Sequence, residues 1–199
     1  IELALAVHSD AGFDQGGGLV GSLAICTTDF NEGKLNSGIS RLTSKEFAQR
    51  LLDGLDRDLP ATVGKWTRRY LWDKNYSETR TPEVPSAIIE TLSHQNFPDM
   101  LLGQDPNFKF AMARSLYKTI ARFVNEGHGR PTFIQPLTPH AFSLGFTAEN
   151  TVRLKWQATE DTLEPTAHPT AYVVYTAMGN SGYDNGTVVR QPSYDISIT

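Results

Sequence analysis

The stretch that decides the fold is Val84-Pro-Ser-Ala-Ile-Ile-Glu-Thr-Leu-Ser-His-Gln-Asn96, an apolar run that leads into polar residues. A second run of this kind, Leu3-Ala-Leu-Ala-Val7, leads into His8. Short runs of consecutive apolar residues are typical of strands buried on both faces of a parallel sheet. Loops at the carboxyl ends of such strands are where α/β proteins place ligands and catalysts. We therefore predict that His8 and Glu90 lie at the carboxyl ends of two strands of an α/β domain.

The segments between and after these strands predict one more strand and two long helices. Residues 21–27 form a third apolar run, which reads as a strand. Residues 43–59 carry an apolar stripe at helical spacing, with Thr43 and Glu46 at the spacing of a capping box. Asp105, followed by proline, has the pattern of a helix N-cap, and helical spacing continues to about residue 124. These elements complete the predicted α/β domain, with helices flanking a mixed or parallel sheet.

The pattern changes after residue 131, where short strands follow one another without helices. Turn residues separate them, which is typical of an antiparallel β-sandwich. Val152, Leu154 and Trp156 alternate on one face, so we expect Trp156 in the core. The predicted strands cover residues 141–146, 151–158, 171–177, 187–190 and 194–198.

Composition excludes several classes of partner. With a net charge of −4, the chain lacks the excess of positive charge that is typical of nucleic-acid-binding proteins, so nucleic acid is not expected as a partner. No apolar run is long enough to span a membrane. The single cysteine, Cys26, excludes an internal disulfide. Its place inside an apolar strand favours a small buried hydrophobe over a nucleophile paired with His8.

His8 and Glu90 are the residues best suited to chemistry. A neutral imidazole can bind a metal ion, and a glutamate can take a proton from metal-bound water. Each signal is weak by itself, because a lone histidine after a strand is more often a polar loop residue. The residues around both therefore decide the interpretation.

Those surroundings resemble a known family. The glutamate follows a proline-led strand and precedes a threonine, and Asn96 stands six positions after it. Pro98-Asp-Met-Leu-Leu102 then supplies a leucine pair before a long final helix. This order resembles the end of the zinc-dependent N-acetylmuramoyl-L-alanine amidases, the type 3 amidases of bacterial cell-wall turnover. His8-Ser-Asp-Ala resembles that family's strand-end motif, in which histidine is a zinc ligand. The resemblance covers Ile1 to about Val124.

The resemblance implies an activity and a set of site residues. It makes His8 a ligand of Zn²⁺ and Glu90 the catalytic acid/base in hydrolysis of the amide between N-acetylmuramic acid and L-alanine. The partner would be peptidoglycan or a muropeptide, outside the cytoplasm. His94, Asp10 and Asn96 are expected near the substrate, and Asn96 is also expected to fix the loop. The family's other two protein ligands precede the strand of His8, so we expect an upstream segment to complete the zinc site.

The resemblances also set the expected domains. An amidase-like α/β domain is predicted over residues 1–126. Residues 132–199 resemble a fibronectin type III domain, a β-sandwich whose last two strands have no counterpart here. We expect this module to act as a spacer or docking unit beside the enzyme.

Two other functions stay open at this stage. A polysaccharide lyase of the xanthan-lyase-like kind would need a tyrosine base and a cation, for which Tyr70, Tyr76, Arg68 and Arg69 are candidates without a supporting spacing. A non-catalytic module would keep the amidase-like groove and bind wall glycan or another protein without turnover.

Overall fold

The structure is a computed structural model that describes residues 2–12 and 14–198. The chain divides into two compact units, Ile1–Thr132 and Phe133–Thr199. Helices and a sheet with parallel and antiparallel pairs build the first unit, whereas the second contains antiparallel strands. The prediction of a mixed α/β fold is confirmed.

The described residues of the first unit form one four-stranded sheet and five helices. The strands are β1 (Ala4–Asp10), β2 (Ser22–Cys26), β3 (Arg68–Asp73) and β4 (Ser86–Ser93). Their order across the sheet is β1-β4-β2-β3. β1 pairs with β4 in parallel, as does β2 with β3, and β2 pairs with β4 antiparallel. The helices are α1 (Leu42–Asp58), α2 (Pro60–Val63), α3 (Ser77–Arg80), α4 (Phe97–Gln104) and α5 (Pro106–Gly127).

The main core lies between one face of this sheet and the helices α1 and α5. Its buried side chains come from alternate strand positions and from the apolar stripes of the two helices. Because strand side chains alternate between faces, Ile88 and Glu90 point away from the helices that cover Ala87 and Ile89. Members of this core include Ala24, Cys26, Phe47, Leu51, Leu55, Ala87, Ile89, Phe108, Met112 and Leu116.

The predicted strand positions need correction at β1 and β4. His8 and Glu90 lie within these strands, because β1 continues to Asp10 and β4 to Ser93. The expectation that the first strand is buried on both faces is wrong, since Val7 is 57% exposed. β1 is an edge strand of the described sheet, with a neighbour on one side only.

Of the two predicted helix N-termini, that of α1 is wrong and that of α5 is confirmed. The capping box at Thr43 is wrong, because α1 begins at Leu42 and its N-cap residue, Arg41, makes no side-chain capping hydrogen bond. Arg41 is buried and donates instead to the backbone carbonyls of Thr79 and Arg80. The Asp105 cap of α5 is confirmed by a 2.9 Å hydrogen bond from the Asn107 amide to its carboxylate.

The second unit contains two antiparallel sheets. One has the order β5-β6-β9, formed by His140–Ala148, Thr151–Gln157 and Ser193–Ser197, and the other pairs β7 (Tyr172–Val174) with β8 (Thr187–Val189). Trp156 is buried, and its ring meets that of Tyr172 edge-on at 5.2 Å. Trp156 is thus a core residue, and the fibronectin type III resemblance stays a prediction.

A search of the described helices for a membrane-crossing candidate finds none with the necessary length and apolar character.

Gly21 offers a sharp test of the packing between the loop before β2 and the loop before β3. A β-carbon at this position would lie 1.9 Å from the Thr67 carbonyl oxygen, and the backbone φ is +77°. Gly38 has a similar φ of +84° but open space around it. We expect Gly21→Ala to reduce the free energy of unfolding by roughly 3 kcal/mol or more, from left-handed strain plus the clash.

Gly38→Ala is the matched control, with an expected loss of roughly 1 kcal/mol from backbone strain alone. Urea denaturation of both variants measures the difference. Equal losses in the two variants would contradict the close approach of Thr67.

Candidate functional site

The parallel register between β1 and β4 places His8 beside Glu90. The two residues are Cα partners in the ladder, so both side chains stand on the face turned away from α1 and α5. Nδ1 of His8 lies 3.9 Å from Oε1 of Glu90. The two residues singled out from the sequence are therefore neighbours in space.

Asp10 and Arg69 extend this pair into a charged cluster. Asp10 follows His8 by two positions on β1, and its Oδ2 accepts a 2.6 Å hydrogen bond from Nη1 of Arg69 on β3. Each side chain of this ion pair is 18% exposed, so the pair is largely shielded from solvent. Arg69 was predicted only for the lyase alternative, and the structure places it against Asp10 instead.

Glu78 is the site residue that sequence analysis missed. It belongs to the short helix α3, and its Oε1 lies 3.0 Å from Nε2 of His8. The polar stretch around it carries no motif, and the contact depends on how α3 packs at the start of β4. His8 thus has a carboxylate near each of its ring nitrogens.

The environment of Glu90 favours its protonated form. Burial is the main cause of a raised pKa, the negative charge of Asp10 adds to it, and His8 acts in the opposite direction. Oε2 of Glu90 and Oδ1 of Asp10 are buried without a hydrogen-bond partner among the described residues. Such a carboxyl group is suited to receive and return a proton.

A buried carboxylate, Asp99 of α4, supports the loops around this cluster. Its Oδ1 accepts from the Val20 amide at 2.9 Å, and its Oδ2 accepts from the Gly21 amide at 3.1 Å and the Ser93 amide at 2.9 Å. Asp99 therefore ties the start of β2 to the end of β4, close to Glu90. We call Asp99, Asn96 and the backbone groups that they bind the Asp99 network.

Asn96 completes this network. It is 3% exposed, and its Nδ2 donates to the Gly18 carbonyl and to Asp99, both at 3.0 Å. Its Oδ1 accepts from the Asp14 amide at 3.3 Å. These contacts hold the loop before β2 in place, and substrate binding by Asn96 stays a prediction.

His94 lies at the edge of the charged cluster, whereas Cys26 lies in the core. His94 is exposed at the end of β4, its amide donates to the Asp10 carbonyl, and its Nδ1 lies 3.2 Å from Oγ of Ser9. It stands at the rim of the cluster, where contact with substrate stays a prediction. Cys26 is buried, which raises the pKa of its thiol to about 11 and disfavours a nucleophilic thiolate.

The described residues do not assemble a complete metal centre. Within residues 2–12 and 14–198, no group of three or more histidine, cysteine, aspartate or glutamate side chains could hold a metal ion. Zinc in catalytic sites is usually bound by three protein ligands and one water. His8 and its two carboxylate neighbours therefore fall short of a full zinc ligand set.

Comparison with known proteins identifies no family. No protein-family model matches the chain, and a search of curated proteins also finds no match. Among solved structures, the chain is similar to an N-acetylmuramoyl-L-alanine amidase of Nostoc punctiforme, with 12% identity and a TM-score of 0.48 over 61% of this chain and 57% of that one.

Two further solved structures are similar at the same level. The N-acetylmuramoyl-L-alanine amidase of Clostridium difficile 630 has 14% identity and a TM-score of 0.47, over 62% of this chain and 57% of that one. The CwlD amidase of Clostridioides difficile, solved in complex with the GerS lipoprotein, has 18% identity and a TM-score of 0.47, over 62% and 54%. The chain thus spans just over half the length of these proteins.

Proposed function

We propose that this chain takes part in hydrolysis of the amide bond between N-acetylmuramic acid and L-alanine in peptidoglycan. The observation that carries the proposal is the pairing of His8 with Glu90, a buried carboxyl group whose pKa is raised. The order of motifs around both residues, which resembles the type 3 amidases, supports the same activity. We place the activity outside the cytoplasm, where this substrate lies.

Glu90 is the proton-transfer group in this proposal. It takes a proton from a water molecule as the water oxygen attacks the amide carbonyl carbon. It then gives that proton to the alanine nitrogen as the carbon–nitrogen bond breaks, which releases the free amine of L-alanine and a lactyl carboxylic acid that loses its remaining proton to solvent. A raised pKa suits both transfers, because the group must gain and lose the same proton within one cycle.

His8 and Glu78 set the polarity around Glu90. When neutral His8 donates from Nε2 to Glu78, its Nδ1 becomes an acceptor on the side of Glu90. Glu78 is therefore a positioning residue that fixes the tautomer and the ring orientation of His8. Burial is the main cause of the raised pKa of Glu90, and the negative charge of Asp10, whose carboxylate accepts a hydrogen bond from Arg69, adds to it.

The resemblance to the type 3 amidases adds zinc dependence to the proposal, with His8 as a zinc ligand. Bound zinc would polarise the carbonyl group and activate water. The described residues do not fit a complete zinc site, because they offer His8 without a group of three ligands. The steps above are accordingly assigned to side chains of this chain alone.

A second candidate function is a non-catalytic module that binds cell-wall glycan. The incomplete ligand set favours it, because a groove that lacks a full metal site can still bind substrate. In both functions the second unit, with its resemblance to fibronectin type III domains, is proposed as a spacer or docking module.

Glu90→Gln tests the catalytic proposal. Purified peptidoglycan is incubated with the chain in excess Zn²⁺, and new lactyl carboxylates and alanine amines are followed by mass spectrometry. We expect wild-type protein to release stem peptides. Glu90→Gln should lower the rate at least 100-fold, because the proton-transfer group is lost.

Glu32→Gln, a change at an exposed glutamate, is the matched control and should retain the wild-type rate. Turnover that is unaffected by Glu90→Gln would rule out the assigned role. Binding without turnover in wild-type protein would favour the non-catalytic module, and unsaturated sugar products would favour the lyase.

Zinc content tests the ligand count. After dialysis against a weak chelator, we expect elemental analysis to find well below one zinc per chain, because the described residues offer no group of three ligands that could hold a metal ion. One zinc retained per chain in wild-type protein, lost in His8→Ala and kept in His94→Ala, would show that the ligand set is complete.

A further inference from the structure

An exposed row of aromatic side chains lies on the same face of the sheet as the charged cluster. Leu71 packs against the main core, whereas Trp72 is the Cα partner of Ile25, which lies with Ile88 on the opposite face, the face of Glu90. Tyr70 contacts the Trp72 ring. Tyr76 follows between β3 and α3. The rings of Tyr70 and Trp72 are 6.2 Å apart, as are those of Trp72 and Tyr76, in edge-on contacts. We call Tyr70, Trp72 and Tyr76 the aromatic row.

The row lies beside the charged cluster through Arg69. The Arg69 guanidinium lies 5.5 Å from the centre of the Tyr70 ring while it donates to Asp10. At the other end of the row, Tyr76 is two residues before Glu78, which contacts His8. The row is therefore adjacent to the cluster that contains His8 and Glu90.

Exposure of these rings is not explained by packing of the core. Tyr70, Trp72 and Tyr76 are 51%, 37% and 43% exposed, whereas Trp66 of the same unit is 6% exposed. Single exposed aromatic residues are common on protein surfaces, but a contiguous group beside a polar cluster marks a binding surface. Tyrosine and tryptophan suit such surfaces because each ring combines an apolar body with a polar atom.

We propose that the aromatic row binds the sugar rings of a polysaccharide strand, the glycan of the cell wall, and so presents the attached lactyl amide to His8 and Glu90. This inference rests on the proposed function for its choice of glycan. Pyranose rings carry apolar C–H faces that pack on aromatic rings, and hydroxyl groups around the edge that need polar partners. The row supplies both kinds of group.

The charges beside the row fit this ligand. Nζ of Lys74 lies 5.3 Å from the centre of the Trp72 ring, within reach of hydroxyl or carboxylate groups on a sugar packed against that ring. A nucleic acid is disfavoured as the occupant by the net charge of −4.

Peptide-free glycan strands test the proposal independently of hydrolysis, because they contain no muramoyl–alanine amide. Binding to the full chain is followed by tryptophan fluorescence and by co-sedimentation with insoluble glycan. Trp66 and Trp156 are buried, so a change in emission reports on Trp72. We expect Trp72→Ala to weaken glycan binding about tenfold and to remove the emission change, a loss of the size seen when a binding hot spot is truncated.

Trp72→Phe, which keeps an aromatic ring, should retain most of the binding measured by co-sedimentation. Tyr183→Ala, at an exposed tyrosine of the second unit, should bind as wild type does. Circular dichroism and thermal melting show that each variant is folded. Because peptide-free glycan contains no muramoyl–alanine amide, its binding does not depend on hydrolysis, and a loss of binding separates failure of the row from failure of the hydrolytic proposal.

Three results would overturn the proposal. The first is wild-type protein that fails to bind peptide-free glycan. The second is folded Trp72→Ala that binds glycan as tightly as wild type. The third is binding of free stem peptide, and not of glycan, that is lost in Trp72→Ala, which would make the row a peptide surface.

Discussion

The parallel pairing of β1 with β4 is the constraint on which the rest of the site depends. Its register makes His8 and Glu90 direct partners, and it places both on the sheet face that α1 and α5 leave free. A shift of one residue in one strand would turn that strand's polar side chain into the apolar core, where an unpaired charge is costly. The register between β1 and β4 thus determines both which side chains pack against the helices and which form the site.

Support for this pairing comes from the Asp99 network. Buried Asp99 accepts hydrogen bonds from two amides before β2, one amide of β4 and the side chain of Asn96. A buried carboxylate with this many donors is well compensated for the loss of water, and an altered loop would leave it unpaired. The loop of residues 14–21, whose backbone binds Asn96 and Asp99, is consequently fixed to the strand that carries Glu90, although most of its residues up to Gly18 are exposed.

The sequence predicted those parts of the fold that depend on local pattern. Apolar runs identified β1, β2 and β4, and helical spacing identified α1 and α5. β3 was missed because it is an edge strand that begins with two arginines and ends with Asp73, which leaves three apolar residues between them. Glu78 was missed because its role arises from a tertiary contact of a four-residue helix. His8 and Glu90 were identified from neighbouring motifs, whereas their distance required the strand order, which no local pattern specifies.

The central claim is that this register builds a charged, partly buried cluster in which Glu90 is kept ready for proton transfer. Titration of the Glu90 side chain by carboxyl-carbon NMR tests it most directly. We expect a pKa above the ordinary glutamate value of 4.5, and a lower pKa in Asp10→Asn, where a neighbouring negative charge is removed. A Glu90 pKa at or below 4.5 that does not respond to Asp10→Asn would show that Glu90 is not prepared for proton transfer in this way.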